Sequence, residues 1–142
     1  MNKENLHRME FEVEAMNYQA AGKASSKIKK VLQQIGVHSA VIRKISIVSY
    51  ELEMNLVIHG HGGKLIVEIT PSEVTVRAID EGPGIPDINK AMEEGFSTAD
   101  EKIRELGFGA GMGLPNIKKN SDNLNIISTV GKGTSVKVVI KV

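Results

Sequence analysis

A carboxylate followed by a tight, glycine-containing turn is the part of this sequence best suited to hold a ligand. Asp80 ends the run Val74–Ile79, whose alternating branched residues predict a strand. Gly82 and Gly84 come next, and both allow positive φ and close approach of another group to the backbone. Such a turn suits the edge of a purine, although a plain surface loop has the same composition.

A second candidate is an acidic residue and an amide on one helix face. Apolar residues recur at helical spacing from about Ala40 to His59, and within this stretch Glu51 and Asn55 lie one helical turn apart. A carboxylate that orients or deprotonates a hydroxyl, next to an amide oxygen that binds a hard cation, suits phosphoryl transfer. A solvated polar stripe is the alternative for this pair.

The third candidate is a glycine-rich loop that runs into a predicted helix. Glycines stand at alternate positions from Gly107 to Gly113, and Pro115 follows near the first turn of the helix. The backbone N–H groups of such a loop are open to phosphate oxygens at the positive end of the helix dipole. The P-loop pattern is absent, and the charged stretch Asp100–Glu105 lies where a dinucleotide-binding motif has a strand. A flexible linker is the alternative.

The periodicity of apolar residues predicts an α/β fold. We expect strands at about Arg8–Val13, Lys64–Thr70, Glu73–Asp80, Leu124–Val130 and Ser135–Val142. We expect helices at about Ala20–Ile35, Ala40–His59, Asp87–Glu94 and Met112–Ser121, with a mobile stretch at Gly95–Gly111. This arrangement predicts a two-layer sandwich, a mainly antiparallel sheet with helices on one face, in a single domain over 1–142.

The composition is that of an ordinary soluble globular protein and argues against several classes. A net charge of +1 argues against nucleic-acid binding by bulk electrostatics. The absence of cysteine excludes disulfides and thiolate metal sites, which favours a cytoplasmic location. No stretch approaches the roughly 20 apolar residues of a membrane span, and the amino terminus has no apolar export segment.

The candidate segments resemble, in order and spacing, the asparagine box and glycine boxes of the ATPase superfamily shared by gyrase B subunits, sensor histidine kinases and mismatch-repair ATPases. Gly131–Thr134, between the last two strands, falls where that family has its last nucleotide-contacting turn. The closer resemblance is to the small anti-sigma-factor serine/threonine kinases. The run Asp80–Thr98 is most similar to the stressosome switch kinases among them. The resemblance implies ATP held between helices and sheet, under a lid formed by Gly95–Gly111.

The resemblance also implies a role for each matching residue. Asp80 accepts a hydrogen bond from the adenine amino group, and Thr134 supports the same edge. Glu51 is the catalytic residue that orients or deprotonates the attacking hydroxyl, and Asn55 is the protein's ligand to Mg²⁺. The remaining assignments are Gly82 and Gly84 at the adenine pocket, Gly109, Gly111 and Gly113 at the phosphates, and Lys102 and Arg104 as candidates for contact with the γ-phosphate.

The implied function is that of an ATP-dependent protein serine/threonine kinase that regulates transcription by partner switching, with ATP and Mg²⁺ as cofactors. The expected substrate is a STAS-domain protein similar to anti-sigma antagonists. A sigma factor or a phosphatase is a further candidate partner, and a homodimer is a further option. We expect no nucleic acid and no membrane among the partners.

A non-catalytic module of the same fold, which binds ATP and a partner protein, is the alternative. The presence of both Glu51 and Asn55 favours the enzyme. A sensor histidine kinase is disfavoured because the sequence leaves no room for phosphoacceptor helices. A gyrase-like ATPase is disfavoured because no transducer domain follows Val142.

Overall fold

Five strands and three helices form the part of the chain that the computed structural model describes, which is residues 7–58, 62–80, 113–129 and 131–142. The strands are β1 (His7–Val13), β2 (Gly63–Ile69), β3 (Glu73–Asp80), β4 (Asn123–Thr129) and β5 (Gly133–Lys141), and the helices are α1 (Lys23–Ile35), α2 (Ser39–Ile58) and α3 (Gly113–Lys119). These elements confirm the predicted ones to within three residues at each end. The predicted helix Asp87–Glu94 and the lid Gly95–Gly111 lie outside the described residues.

The strands form one sheet in the order β1-β2-β3-β5-β4, and every neighbouring pair is antiparallel. β2 and β3 make the predicted hairpin, in which the Thr70 N–H donates to the Glu73 carbonyl at 2.9 Å across the turn. The next described elements after β3 are α3 and the edge strand β4. The last strand, β5, lies between β3 and β4 and pairs with both. The prediction of a mainly antiparallel sheet is therefore confirmed.

One face of the sheet carries the apolar core. Side chains alternate between the two faces of a strand, so register pairs such as Val76 and Val138 extend one continuous apolar surface across β3 and β5. The helices cover this surface and contribute fully buried residues of their own, including Ile28, Leu32, Ile45, Leu52 and Ile117. Burying each side chain of this size stabilises the fold by roughly 1.5–3 kcal/mol. The predicted two-layer sandwich with helices on one face is confirmed.

The two ends of α1 are set by glycines. Gly36 has φ 89° and closes the helix as predicted: its N–H donates to the Gln33 carbonyl at 3.2 Å, and the Val37 N–H donates to the Leu32 carbonyl at 3.1 Å. The predicted start at Ala20 is three residues too early, because Gly22 takes a left-handed conformation with φ 93° just before Lys23. The turns before Gly22 thus lie outside the helix.

The carboxyl end of α2 lies where the first two strands begin to pair. The Met16 N–H donates to the Val57 carbonyl at 2.8 Å, and the Gly62 N–H donates to the Leu56 carbonyl at 3.1 Å. Gly62 has φ +79°, and a Cβ there would lie 2.6 Å from the Val13 carbonyl oxygen, so this position requires glycine. Within the described ranges, no helix is both long and apolar enough to cross a membrane.

Candidate active site

A row of polar side chains continues the apolar face of the sheet at one end. Asp80, the last residue of β3, is in register with Thr134 of β5, which is in register with Ser128 of β4. The three side chains share the helix-covered face, because each lies an even number of residues from apolar residues of its own strand that form the core or pack against it. The alternation that places Val74, Val76 and Ala78 in the core therefore places a carboxylate at the edge of that core.

Hydrogen bonds connect this row. The Thr134 backbone N–H donates to Asp80 Oδ1 at 3.3 Å. The hydroxyl oxygens of Thr134 and Ser128 are hydrogen-bonded at 2.9 Å, with either able to donate. Thr134 is buried and Asp80 is half-buried, so the orientation of the carboxylate is restricted by the strand beside it. The structure thus brings Asp80 and Thr134 together and adds Ser128 to them, while their contact with adenine stays a prediction.

Glu51 lies on α2 and reaches across to α3. Its Oε1 accepts a hydrogen bond from Asn116 Nδ2 at 3.4 Å, although the two residues are far apart in the chain. Burial raises the pKa of Glu51 above its ordinary value, and the hydrogen bond from Asn116 offsets part of that rise. A carboxylate with a raised pKa is a stronger proton acceptor than an exposed glutamate, which suits the role of a general base.

Asn55 is half-buried one turn further along α2. Its neighbour Leu56 lies beside Gly63 and the Ile79 carbonyl, since a Cβ built on Gly63 would meet both. The turn of α2 that carries Asn55 is therefore at the end of the sheet where β3 finishes in Asp80. An amide oxygen is a hard, neutral donor, and it fits a Mg²⁺ ion that takes most of its ligands from phosphate oxygens and water.

Glu53 is a buried carboxylate that stabilises the fold, and the sequence analysis did not predict this role. It is only 2% exposed, yet its Oε2 accepts the N–H groups of Gly22 at 3.0 Å and Ala24 at 3.2 Å, and its Oε1 accepts the Ser25 N–H at 3.0 Å. Gly22 offers no side chain to cap α1, so a residue of α2 satisfies the first amides of α1 instead. Glu53 thereby joins the two helices next to Glu51.

Of the remaining predicted site residues, only Gly113 lies in the described part of the chain, as the first residue of α3. Six predicted residues lie outside the described residues, and their roles stay predictions: Gly82, Gly84, Lys102, Arg104, Gly109 and Gly111.

Comparison with known proteins identifies the family. Residues 40–142 match the family described as histidine kinase-, DNA gyrase B-, and HSP90-like ATPase. The chain belongs to this ATPase family. The matched segment contains both Glu51 and Asn55 on α2, and also the row Asp80, Thr134 and Ser128 on the sheet.

Curated relatives lie among small bacterial regulators. The chain is 30% identical over 115 residues to the serine/threonine-protein kinase RsbT of Bacillus subtilis, a match that covers 78% of this chain and 80% of that protein. It is 39% identical over 93 residues to an anti-sigma F factor of Thermoanaerobacter, where the match covers 62% of each chain. The predicted resemblance to the small serine/threonine kinases of this superfamily is confirmed.

Solved structures agree on the fold. A chain in the crystal structure of the SiaB–SiaC complex from Pseudomonas aeruginosa superposes with a TM-score of 0.64 at 13% identity, covering 93% of this chain and 88% of that one. The mycobacterial sensor histidine kinase MprB gives a TM-score of 0.52 at 14% identity, covering 95% and 97%. These likenesses confirm the α/β architecture of the family.

Proposed function

We propose that this protein is an ATP-dependent protein serine/threonine kinase that phosphorylates a partner protein and changes its associations in doing so. The observation that carries the proposal is the half-buried Glu51 carboxylate one helical turn from Asn55 on α2. A general base one helical turn from a Mg²⁺ ligand suits phosphoryl transfer to a hydroxyl. The similarity to a protein named as a serine/threonine-protein kinase supports the same assignment.

The polar row at the end of the sheet supports ATP as the nucleotide. The Asp80 carboxylate accepts hydrogen bonds and cannot donate when ionised, so it favours the amino group of adenine and repels the carbonyl oxygen of guanine. The Thr134 N–H holds Asp80 Oδ1, which fixes the carboxylate for this contact. Asn55 is the residue that would hold Mg²⁺, and the ion would supply charge neutralisation at the phosphates.

Glu51 acts on the protein substrate. As the serine or threonine oxygen forms a bond to the γ-phosphorus, the bond from that phosphorus to the β–γ bridging oxygen breaks, ADP leaves and the hydroxyl proton passes to Glu51. A base of this kind contributes about 10²–10⁴-fold to the rate. Desolvation of Glu51 supports the role because it brings the carboxylate closer to the basicity that the proton transfer needs.

We propose a STAS-domain protein similar to anti-sigma antagonists as the substrate. The names of the relatives, a serine/threonine-protein kinase and an anti-sigma F factor, support a regulatory partner. Three further points stay predictions: a second partner that is a sigma factor or a phosphatase, a homodimer, and a cytoplasmic location. Affinity capture from the native host, followed by assay of γ-phosphate transfer to the captured protein, identifies the substrate.

The second candidate function is a module that binds ATP and a partner without transferring phosphate. Glu51 distinguishes the kinase from the binding module, because binding without phosphate transfer does not require a desolvated carboxylate beside Asn55. In a binding module the substitution Glu51→Gln would leave partner release by ATP unchanged, and no phosphorylated product would form.

Asp80→Asn is expected to weaken ATP binding by about 1.5–3 kcal/mol, the scale of a hydrogen bond to a charged group. The Asn side chain retains an oxygen for the Thr134 N–H, so the sheet itself should keep its stability. Isothermal titration calorimetry with ATP and GTP measures the effect. Asp122→Asn is the matched control. The Asp122 carboxylate also accepts a backbone N–H, from Lys141 at 2.7 Å, but it lies between α3 and β4 and is not part of the polar row of Asp80, Thr134 and Ser128. Equal affinities of the unmodified protein for ATP and GTP would contradict the role of Asp80.

A further inference from the structure

The amide of Asn116 contacts the catalytic carboxylate from a different helix. Asn116 Nδ2 lies 3.4 Å from Glu51 Oε1, and both side chains are half-buried. No sequence motif pointed to Asn116. Its contact with Glu51 exists because α3 packs against α2 in the helix layer.

The position of Asn116 is fixed by its neighbours. Ile117 is fully buried and Leu114 is 9% exposed, so two residues of α3 hold this short helix in the core. After the helix, Asn120 Nδ2 donates to the Asn116 carbonyl at 2.8 Å, and the Ser121 hydroxyl donates to the Ile117 carbonyl. The Asn120 backbone N–H also donates to the Asn116 carbonyl, at 3.3 Å, so with Leu114 and Ile117 in the core the support of Asn116 does not depend on the Asn120 side chain.

The chemistry of an amide suits this contact. A neutral N–H donor stabilises the ionised carboxylate, and because the amide nitrogen is not basic it does not compete with Glu51 for the substrate proton. A hydrogen bond to one oxygen also restricts rotation of the carboxylate, which leaves the other oxygen as the proton acceptor. Such positioning matters because a misplacement of about 1 Å can lower the rate on the order of 10²-fold.

We propose that Asn116 is a positioning residue for Glu51, holding Oε1 so that the carboxylate is oriented to accept the substrate hydroxyl proton. This inference rests on the proposed kinase function. It adds a side chain from α3 to Glu51 and Asn55 on α2 and to the polar row on the sheet. Asn116 acts through Glu51.

The test compares Asn116→Ala with the control Asn120→Ala, at the residue that directly follows the same helix. With the captured STAS-domain protein as substrate, Asn116→Ala should lower kcat about tenfold and leave the KM for ATP within about twofold, since one charge-assisted hydrogen bond is lost. In a Glu51→Gln background the same substitution should cost nothing further, because the group that it positions is already gone. Asn120→Ala removes a contact of α3 but not the one to Glu51, and should keep the wild-type kcat.

A second readout needs no partner. In protein labelled with ¹³C at the glutamate carboxyl carbons, the titration midpoint of Glu51 should rise in Asn116→Ala and stay unchanged in Asn120→Ala. Asn116→Asp, which has the same shape but places an acceptor opposite Glu51, should raise the midpoint further.

An unchanged midpoint in Asn116→Ala, losses that add to those of Glu51→Gln, or an equal loss of kcat in Asn120→Ala would each overturn the inference. If the wild-type protein transfers no phosphate, the proposed function fails. The carboxyl titration then still decides whether Asn116 holds Glu51.

Discussion

Glu51→Gln is expected to lower the rate of γ-phosphate transfer at least about a hundredfold while ATP affinity changes by less than about twofold. Glutamine has the size of glutamate and retains an oxygen for Asn116, but it cannot accept the substrate proton as a carboxylate does. Single-turnover transfer to the partner protein measures the rate, and calorimetry measures the affinity. A variant with wild-type transfer would remove Glu51 from the mechanism.

The same variant shows whether the carboxylate is desolvated. Burial raises the pKa of Glu51 above its ordinary value of 4.5, so the folded protein binds this proton more tightly than the unfolded chain does. This contribution to stability is fully present below the unfolded-state pKa and is lost as the pH rises through the raised folded-state pKa. Glutamine does not titrate. The stability of Glu51→Gln relative to wild type should therefore be higher at pH 8 than at pH 4 in urea denaturation, and a pH-independent difference would contradict the burial of this group.

Glu53→Ala is expected to lower the free energy of unfolding by about 3 kcal/mol, because it leaves three amides at the start of α1 without an acceptor. Those amides belong to Gly22, Ala24 and Ser25, and the carboxylate that satisfies them is 2% exposed. Glu53→Gln should also destabilise, since its amide group would face N–H donors in place of an oxygen. Urea denaturation followed by circular dichroism measures both variants.

Glu10→Ala is the matched control for that loss. Glu10 forms surface ion pairs, with Arg8 at 3.5 Å and Lys64 at 3.4 Å. Exposed pairs of this kind contribute about 0.2–1 kcal/mol. If Glu53→Ala costs no more than Glu10→Ala, Glu53 does not hold α1 against α2.

Local patterns were sufficient to predict the elements that carry the site. The bounds of β3, Glu73–Asp80, follow from the alternation of its residues and from the turn at Pro71 and Ser72. The pair Glu51 and Asn55 follows from the helical period alone, although nine of the 20 residues of α2 are buried. The start of α1 was predicted too early because Ala20 and Ala21 favour a helix, and the left-handed conformation of Gly22 overrides that preference.

Contacts between distant segments were beyond sequence reasoning. Glu53 caps a helix that begins 30 residues earlier in the chain, and Asn116 meets Glu51 across 65 residues. Both contacts depend on how α1, α2 and α3 pack, which no local period encodes. The sequence indicated the face of Ser128, because Leu124, Ile126 and Ser128 stand at every second position of β4. Its pairing with Thr134 depends on the register between β4 and β5. Glu53 had no advance sign, because with the helix expected from Ala20 the missing cap at Gly22 is visible only in the structure.

Transfer of the γ-phosphate from ATP to a partner protein tests the central claim most directly. The wild-type protein, its captured STAS-domain partner, Mg²⁺ and ATP labelled at the γ-phosphate are incubated together, and the partner is analysed for phosphoserine and phosphothreonine. The account predicts label on a serine or threonine of the partner, formed with Mg²⁺ and ATP, not formed without Mg²⁺, and nearly abolished by Glu51→Gln. A partner that binds in the presence of ATP but acquires no label would contradict the account and leave an ATP-dependent binding module in its place.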